Sequence, residues 1–225
     1  YLCYICATLG IKYTTSAKAS FFSCLGVLVI PVILRLFCRE RVHKRVTISI
    51  LICTAGLFLI SYTKGMGFYL SPGDIICLGC SVTGASHVII TGRVANDQDP
   101  ALLATVQLFF ISVWAFLTAF LLEDFPTGVP AFHWGVMLFL ALFCTAIAFL
   151  LQCACQRTIS PARTGVIFAI EPVSGAIFSA VLLGDHLGFN GIIGGAMIFA
   201  SMIYMELGES KRNASIEATS VSGIP

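Results

Sequence analysis

The sequence predicts an all-α protein, a polytopic bundle of membrane-spanning helices, on three observations. Its 225 residues are 58% hydrophobic and 11% charged, against roughly 25% charged in soluble domains, and the mean hydropathy is +0.95. Seven apolar runs are long enough to cross a bilayer core, which is about 30 Å thick at about 1.5 Å of helix rise per residue. The cationic residues, finally, sort to one side of those runs.

The runs cover approximately 18–38, 46–63, 74–92, 101–122, 132–152, 161–183 and 188–207, each bounded by Gly, Pro or charge. Residues 1–11 form an eighth that is too short to span, and with Tyr1 at its start it reads as the end of a helix begun upstream. Threading the runs places Arg35, Arg39, Arg41, Lys44, Arg45, Arg93, Arg157, Arg163, Lys211 and Arg212 on one side. Only Lys12, Lys18 and Lys64 fall on the other. The cation-rich side of a membrane protein is the cytoplasmic one. The C-terminus is therefore expected in the cytoplasm, with the chain in a cell membrane (plasma or bacterial inner). The polar, Ser-rich segment 208–225 reads as a disordered cytoplasmic tail. A net charge of +2, with no basic stripe interleaved with aromatics, predicts no nucleic-acid partner.

Ten cysteines sit within apolar runs. Cys3-x-x-Cys6 and Cys77-x-x-Cys80 have the spacing of a zinc or redox pair, but neither has a His/Cys counterpart at metal-site spacing. Both read as small apolar packing residues, and no metal or cofactor is expected.

The sixth run carries an acid, Glu171, followed by Pro172. Between Pro161 and Leu183 this acid lies roughly 15 Å from either end, near the midplane. A carboxylate there costs on the order of 3 kcal/mol on insertion scales, so it is expected to face a cavity or a partner rather than lipid. Pro172 removes a backbone donor and crowds the carbonyl of Phe168, freeing an acceptor at the same depth. The pair is the leading candidate for substrate or proton traffic; the plainer alternative is an acid bracing a neighbouring helix beside a kink.

An internal echo organises the chain. Thr14-Thr15-Ser16-Ala17-Lys18 opens the first complete run and Thr158-Ile159-Ser160-Pro161-Ala162 the sixth. Each leads into an apolar helix with an internal proline (Pro31, Pro172), an acid near its end (Glu40, Asp185) and one more apolar run. The charge count puts the two openings on opposite sides of the membrane, the mark of an inverted-topology repeat. Four passages then sharpen the pattern: Tyr13–Phe21; Gly73-Asp74-Ile75-Ile76 with Ala85–Ile89; Thr145–Gln152 with Gln156; and Glu171-Pro172-Val173 followed by Leu183-Gly184-Asp185. In order and spacing the chain resembles the drug/metabolite transporter superfamily, as an EamA-type permease lacking its first two and a half helices. The resemblance implies an inverted repeat of two five-helix units, with residues 1–63 the C-terminal part of the first and 74–207 the second. Asp185 stands where the family more often has glutamate. The first-repeat position matching Glu171 is near Val27, so the halves are chemically unequal.

Further candidates for the pathway are polar or aromatic side chains inside apolar runs. Gln152 and Gln156 continue a stripe through Thr145 and Phe149 at steps of four, three and four. Gln107, with Phe110 and Trp114 on its face, is a candidate cavity wall, although such stripes are more often packing or lipid-facing surface. His87, between Thr83 and Thr91, is a candidate relay or an interhelical hydrogen-bond donor. Gly191 and Gly195 form a Gly-x-x-x-Gly suited to close helix packing, within the chain or in a homodimer.

The function expected is secondary transport of a small organic metabolite by alternating access. No Gly-x-x-x-x-Gly-Lys is present, so an ion gradient or exchange would supply the energy. The resemblance implies substrates such as amino acids or drugs. Three alternatives stand beside it. An intramembrane enzyme lacks a second carboxylate at the depth of Glu171, a seven-helix receptor lacks oppositely oriented halves, and a fragment without its first helices would be inactive.

Overall fold

The structure, a computed structural model, describes residues 1–14, 16–37, 39, 44–61, 71–123, 128–183 and 189–222. Glu40, Lys64, Asp185 and the basic loop around Arg41 lie outside them. Helices stand at all seven positions where the sequence predicts a span, and the described residues contain no strand. α1 is Leu2–Tyr13, α4 Lys44–Ser61, α5 Pro72–Val94, α6 Pro100–Leu122 and α11 Phe189–Ser222. Among the described residues three helical stretches are long and apolar enough to cross a membrane: Pro72–Val94, Pro100–Leu122 and Ala131–Cys155.

The last of these is not uniform. α7 (Ala131–Phe139) and α8 (Ala148–Cys155) are joined by a π-helical stretch, Leu140–Ile147. Within it the Thr145 hydroxyl donates to the carbonyl of Leu140 at 3.2 Å, five residues back. Two other spans are broken outright. α2 (Ser16–Cys24) and α3 (Gly26–Leu36) meet at Leu25, and α9 (Pro161–Phe168) and α10 (Ile170–Leu183) meet at Ala169. Each break falls eleven residues beyond the threonine, Thr14 or Thr158, that opens its apolar run.

The breaks differ in chemistry. The Leu25 N–H is shared between the carbonyls of Phe21 (3.2 Å) and Phe22 (3.3 Å), a one-residue tightening that keeps the ladder bonded. The Ala169 N–H reaches back only three residues, to Val166 at 3.2 Å. Phe168 meanwhile faces Pro172, which has no N–H to give it.

α11 differs from expectation at its far end. It continues through residues 208–222, where the sequence predicts a disordered tail. That stretch contains the helix formers Glu209, Lys211, Arg212, Ala214, Glu217 and Ala218 and no proline before Pro225, so intrinsic propensity favours helix there.

Packing divides the chain into two compact units, one of Tyr1 with 89–160 and one of 2–88 with 161–225. These units cut across the sequence repeats because helices of the first repeat pack on helices of the second. In the larger unit α3 lies on α9 and α4 lies on α11. Val27, Ile30 and Leu34 of α3 are buried with Ala162 and Val166 of α9, and a Cβ on Gly165 would come within 2.6 Å of Ile30. Ile50, Cys53 and Leu57 of α4 are buried with Ile198, Ser201 and Met205 of α11. A Cβ on Gly56 would sit 2.6 Å from the carbonyl oxygen of Gly194, so these two backbones nearly touch.

The start of α5 is fixed by a capping box. The Ser71 hydroxyl accepts from the Asp74 N–H at 3.2 Å, the Asp74 carboxylate accepts from the Ser71 N–H at 2.8 Å, and Pro72 takes the first helical position. Asp74 is fully buried and also accepts from the Thr14 hydroxyl, which ties the end of α1 to the start of α5.

In the smaller unit α6 packs on α8. Asp99 caps α6 by accepting from the N–H groups of Ala101 (2.9 Å) and Leu102 (3.0 Å). The outer faces carry exposed Phe116, Phe120, Leu121, Phe132 and Phe143, the surface an integral membrane protein offers to lipid.

Candidate functional site

Glu171 occupies the first turn of α10, two residues beyond the break at Ala169. Its side chain is exposed and that of Pro172 half-buried, although the surrounding positions Ala169 and Val173 are buried. A carboxylate in this first turn lies at the positive end of a half-helix dipole. The preceding half-helix ends on the carbonyl that Pro172 leaves without its usual donor. Glu171 therefore belongs to a group of acceptors at a helix interruption, the arrangement by which broken membrane helices hold ligands.

Three other elements contribute to the same region. Tyr4 of α1, Cys24 of α2 and Cys80 of α5 all lie within electrostatic reach of the Glu171 carboxylate. Ser23 adjoins Cys77 and Cys80, and Thr83 adjoins Cys3. Among the described residues Glu171 has no salt-bridge partner. His87 is half-buried on α5 in the same unit, one turn beyond Thr83, whose hydroxyl donates to the carbonyls of Gly79 and Cys80 at 2.9 and 3.1 Å.

The other candidates belong to the smaller unit. Gln152 donates to Gln156 at 3.2 Å, making the stripe a hydrogen-bonded pair, and Gln156 is buried. Gln107 donates to the Thr91 hydroxyl at 3.3 Å, which anchors α6 to the end of α5. Trp114 stacks on Tyr1 with ring centroids 6.2 Å apart, while the Tyr1 hydroxyl donates to Thr118 at 2.7 Å. Phe110 and half of Trp114 remain exposed.

Gly195 is buried against Val173 of α10, where a Cβ would make an ordinary 3.5 Å contact, and Gly191 is half-buried. The tighter approach involves Gly194 and Gly56, one residue out of register with the sequence motif.

Sequence reasoning missed Tyr4, Ser23 and Cys24, because nothing in a run of apolar and small residues marks the face turned toward another helix. It also missed the π-helical stretch, for which residues 140–147 carry no signal beyond an apolar run with Thr145 in it.

The profile of the EamA-like transporter family matches residues 1–62 and 71–207. An uncharacterized transporter of Archaeoglobus fulgidus is 26% identical over 211 residues, covering 92% of this chain and 66% of the relative. The uncharacterized transporter YetK of Bacillus subtilis is 24% identical over 212 residues, covering 90% of this chain and 63% of its own. The chain thus spans just under two thirds of the length of these relatives. A solved crystal structure shares the fold with a TM-score of 0.77 at 18% identity, over 91% of this chain and 72% of its own.

Proposed function

The chain belongs to the EamA-like transporter family, and on that premise we propose that this membrane transporter is a secondary carrier for small organic metabolites bearing an ammonium group, amino acids or cationic drugs among them. The observation that carries the reading is Glu171 at the interruption between α9 and α10. The Glu171 carboxylate and the Phe168 carbonyl are both acceptors, and a carboxylate beside a freed carbonyl favours a donor-rich cation over an anion. Driving energy enters as a proton exchanged at Glu171 or as a second substrate moving the other way.

The matched breaks at Leu25 and Ala169 support alternating access, since each repeat holds one joint at the same offset. Only the second joint carries an acid and a proline. In this reading the first serves motion and the second serves binding. His87, in the same compact unit as Glu171, is the further pathway residue of this reading, and the C-terminus faces the cytoplasm.

The test uses proteoliposomes holding the protein and a trapped pH-sensitive dye, challenged with amino acids, organic cations and organic anions. The reading expects a dye response, or counterflow of a preloaded solute, for at least one ammonium-bearing compound and none for the anions. Movement of anions alone would overturn it.

A further inference from the structure

The two Cys-x-x-Cys motifs, far apart in sequence, face each other across α1 and α5. The Sγ atoms of Cys3 and Cys80 are 3.4 Å apart. The other two thiols are directed elsewhere. Cys6 lies over Gly79, where a Cβ would be 3.5 Å from its sulfur, and Cys77 fills the space left by Gly10, where a Cβ would be 2.3 Å from its sulfur. Cys3 in turn lies over Gly84, at 3.4 Å from a Cβ built there. Glycines on each helix thus receive cysteines from the other, and one pair of sulfurs is left in mutual contact. Among the described residues no group of three or more His, Cys, Asp or Glu side chains could hold a metal ion.

We propose that Cys3 and Cys80 form a reversible disulfide, a thiol-oxidation site joining α1 to α5. Disulfide formation needs the sulfurs to close from 3.4 Å to about 2.05 Å, a movement within the reach of side-chain rotation and a small helix shift. Cys3 is half-buried and Cys80 buried, so Cys3 is the first to meet an oxidant. With a small peroxide as that oxidant, the Cys3 sulfur attacks one oxygen, the O–O bond breaks, and the Cys3 thiol proton leaves with the released hydroxide as one water, which leaves a sulfenic acid on Cys3. The Cys80 sulfur attacks the Cys3 sulfur, the S–O bond breaks, and a second water carries away the Cys80 proton as the S–S bond forms. Two electrons pass from the sulfurs to the peroxide, and a dithiol reductant returns them by exchange.

Cys3 lies in the first sequence repeat and Cys80 in the second, the latter within electrostatic reach of Glu171. The bond would therefore tie the two repeats together beside the candidate site. Its effect on transport rests on the function proposed above, whereas its formation does not.

The protein in liposomes is treated with hydrogen peroxide, its free thiols are alkylated, and digested peptides are mapped by mass spectrometry with and without reduction. The expected result is a reducible Cys3–Cys80 cross-link, lost in Cys3→Ser and in Cys80→Ser and kept in Cys6→Ser and Cys77→Ser. A cross-link through Cys24 or Cys77 instead, or alkylation of both Cys3 and Cys80 after peroxide, would overturn the proposal; mapping of the wild type needs no variant to fold. In proteoliposomes that transport, peroxide should abolish flux in the wild type and a dithiol reductant should restore it. A loss that the reductant does not reverse would refute the tie between repeats. Absence of transport before oxidation counts against the transport reading alone and leaves the mapping result to stand.

Discussion

Substitution of Gly56 by alanine tests the helix contact on which the larger unit is built. The added methyl would lie 2.6 Å from the Gly194 carbonyl oxygen, 2.9 Å from Ile198 and 3.2 Å from Met197. The first obstacle is backbone, which no rotamer change relieves, so α4 and α11 must move apart along a buried interface. Overpacking of this kind costs about 1–3 kcal/mol. At about 2–4 °C per kcal/mol for a chain of this size, the apparent melting temperature should fall by about 2–12 °C. Two matched variants separate this clash from the substitution itself. A Cβ at Gly195 meets Val173 at 3.5 Å and one at Gly135 meets nothing within 4 Å, so both should be neutral or gain up to about 1 kcal/mol of helix propensity. The assay is thermal denaturation in detergent followed by size-exclusion fluorescence. If Gly56→Ala melts with Gly135→Ala, the close approach of α4 to α11 is wrong.

Three further outcomes are expected. Asp74→Ala removes half of the capping box and the acceptor for Thr14, and should destabilise by about 1–3 kcal/mol in the same melting assay; an unchanged melting temperature would show that α5 does not depend on its cap. Pro172→Ala restores an N–H to the Phe168 carbonyl, so the protein should insert and melt at least as well as the wild type while its flux falls; unchanged flux would make the interruption a packing feature. On a cysteine-free background, a cysteine at Asn96 should be labelled only from the cytoplasmic side and one at Thr127, outside the described residues, only from the opposite side. The reverse pattern would invert the topology.

Much of the fold was legible because hydrophobic run length and cation placement are properties of local sequence. The helix at 72–94 is an example: the apolar run 74–92, with Gly73 before it and Arg93 after it, marks it. Glu171 and Pro172 were legible for a related reason, since an acid and a proline are both costly in a membrane helix and stand out at once. What escaped depends on contacts between distant segments. The Cys3–Cys80 pair joins residues 77 apart in sequence, and each motif alone reads as packing. The Gly-x-x-x-Gly at Gly191 and Gly195 was visible, yet the closest backbone approach uses Gly194, because the register of α11 on α4 is set by Ile198 and Met205. The interruption at Leu25 had no sign either: Leu25 and Gly26 are ordinary in an apolar run, and only the comparison with Ala169 gives the break a meaning.

The central claim, that Glu171 is the working group of a carrier, is tested most directly by comparing wild type with Glu171→Gln in proteoliposomes, for a substrate the wild type transports. Substrate-driven proton flux is read from a trapped dye, and substrate binding is read in parallel. The account predicts that proton flux disappears in the variant while membrane insertion and melting temperature are kept. Normal flux with an unchanged pH dependence would contradict it and leave Glu171 a structural acid beside a kink.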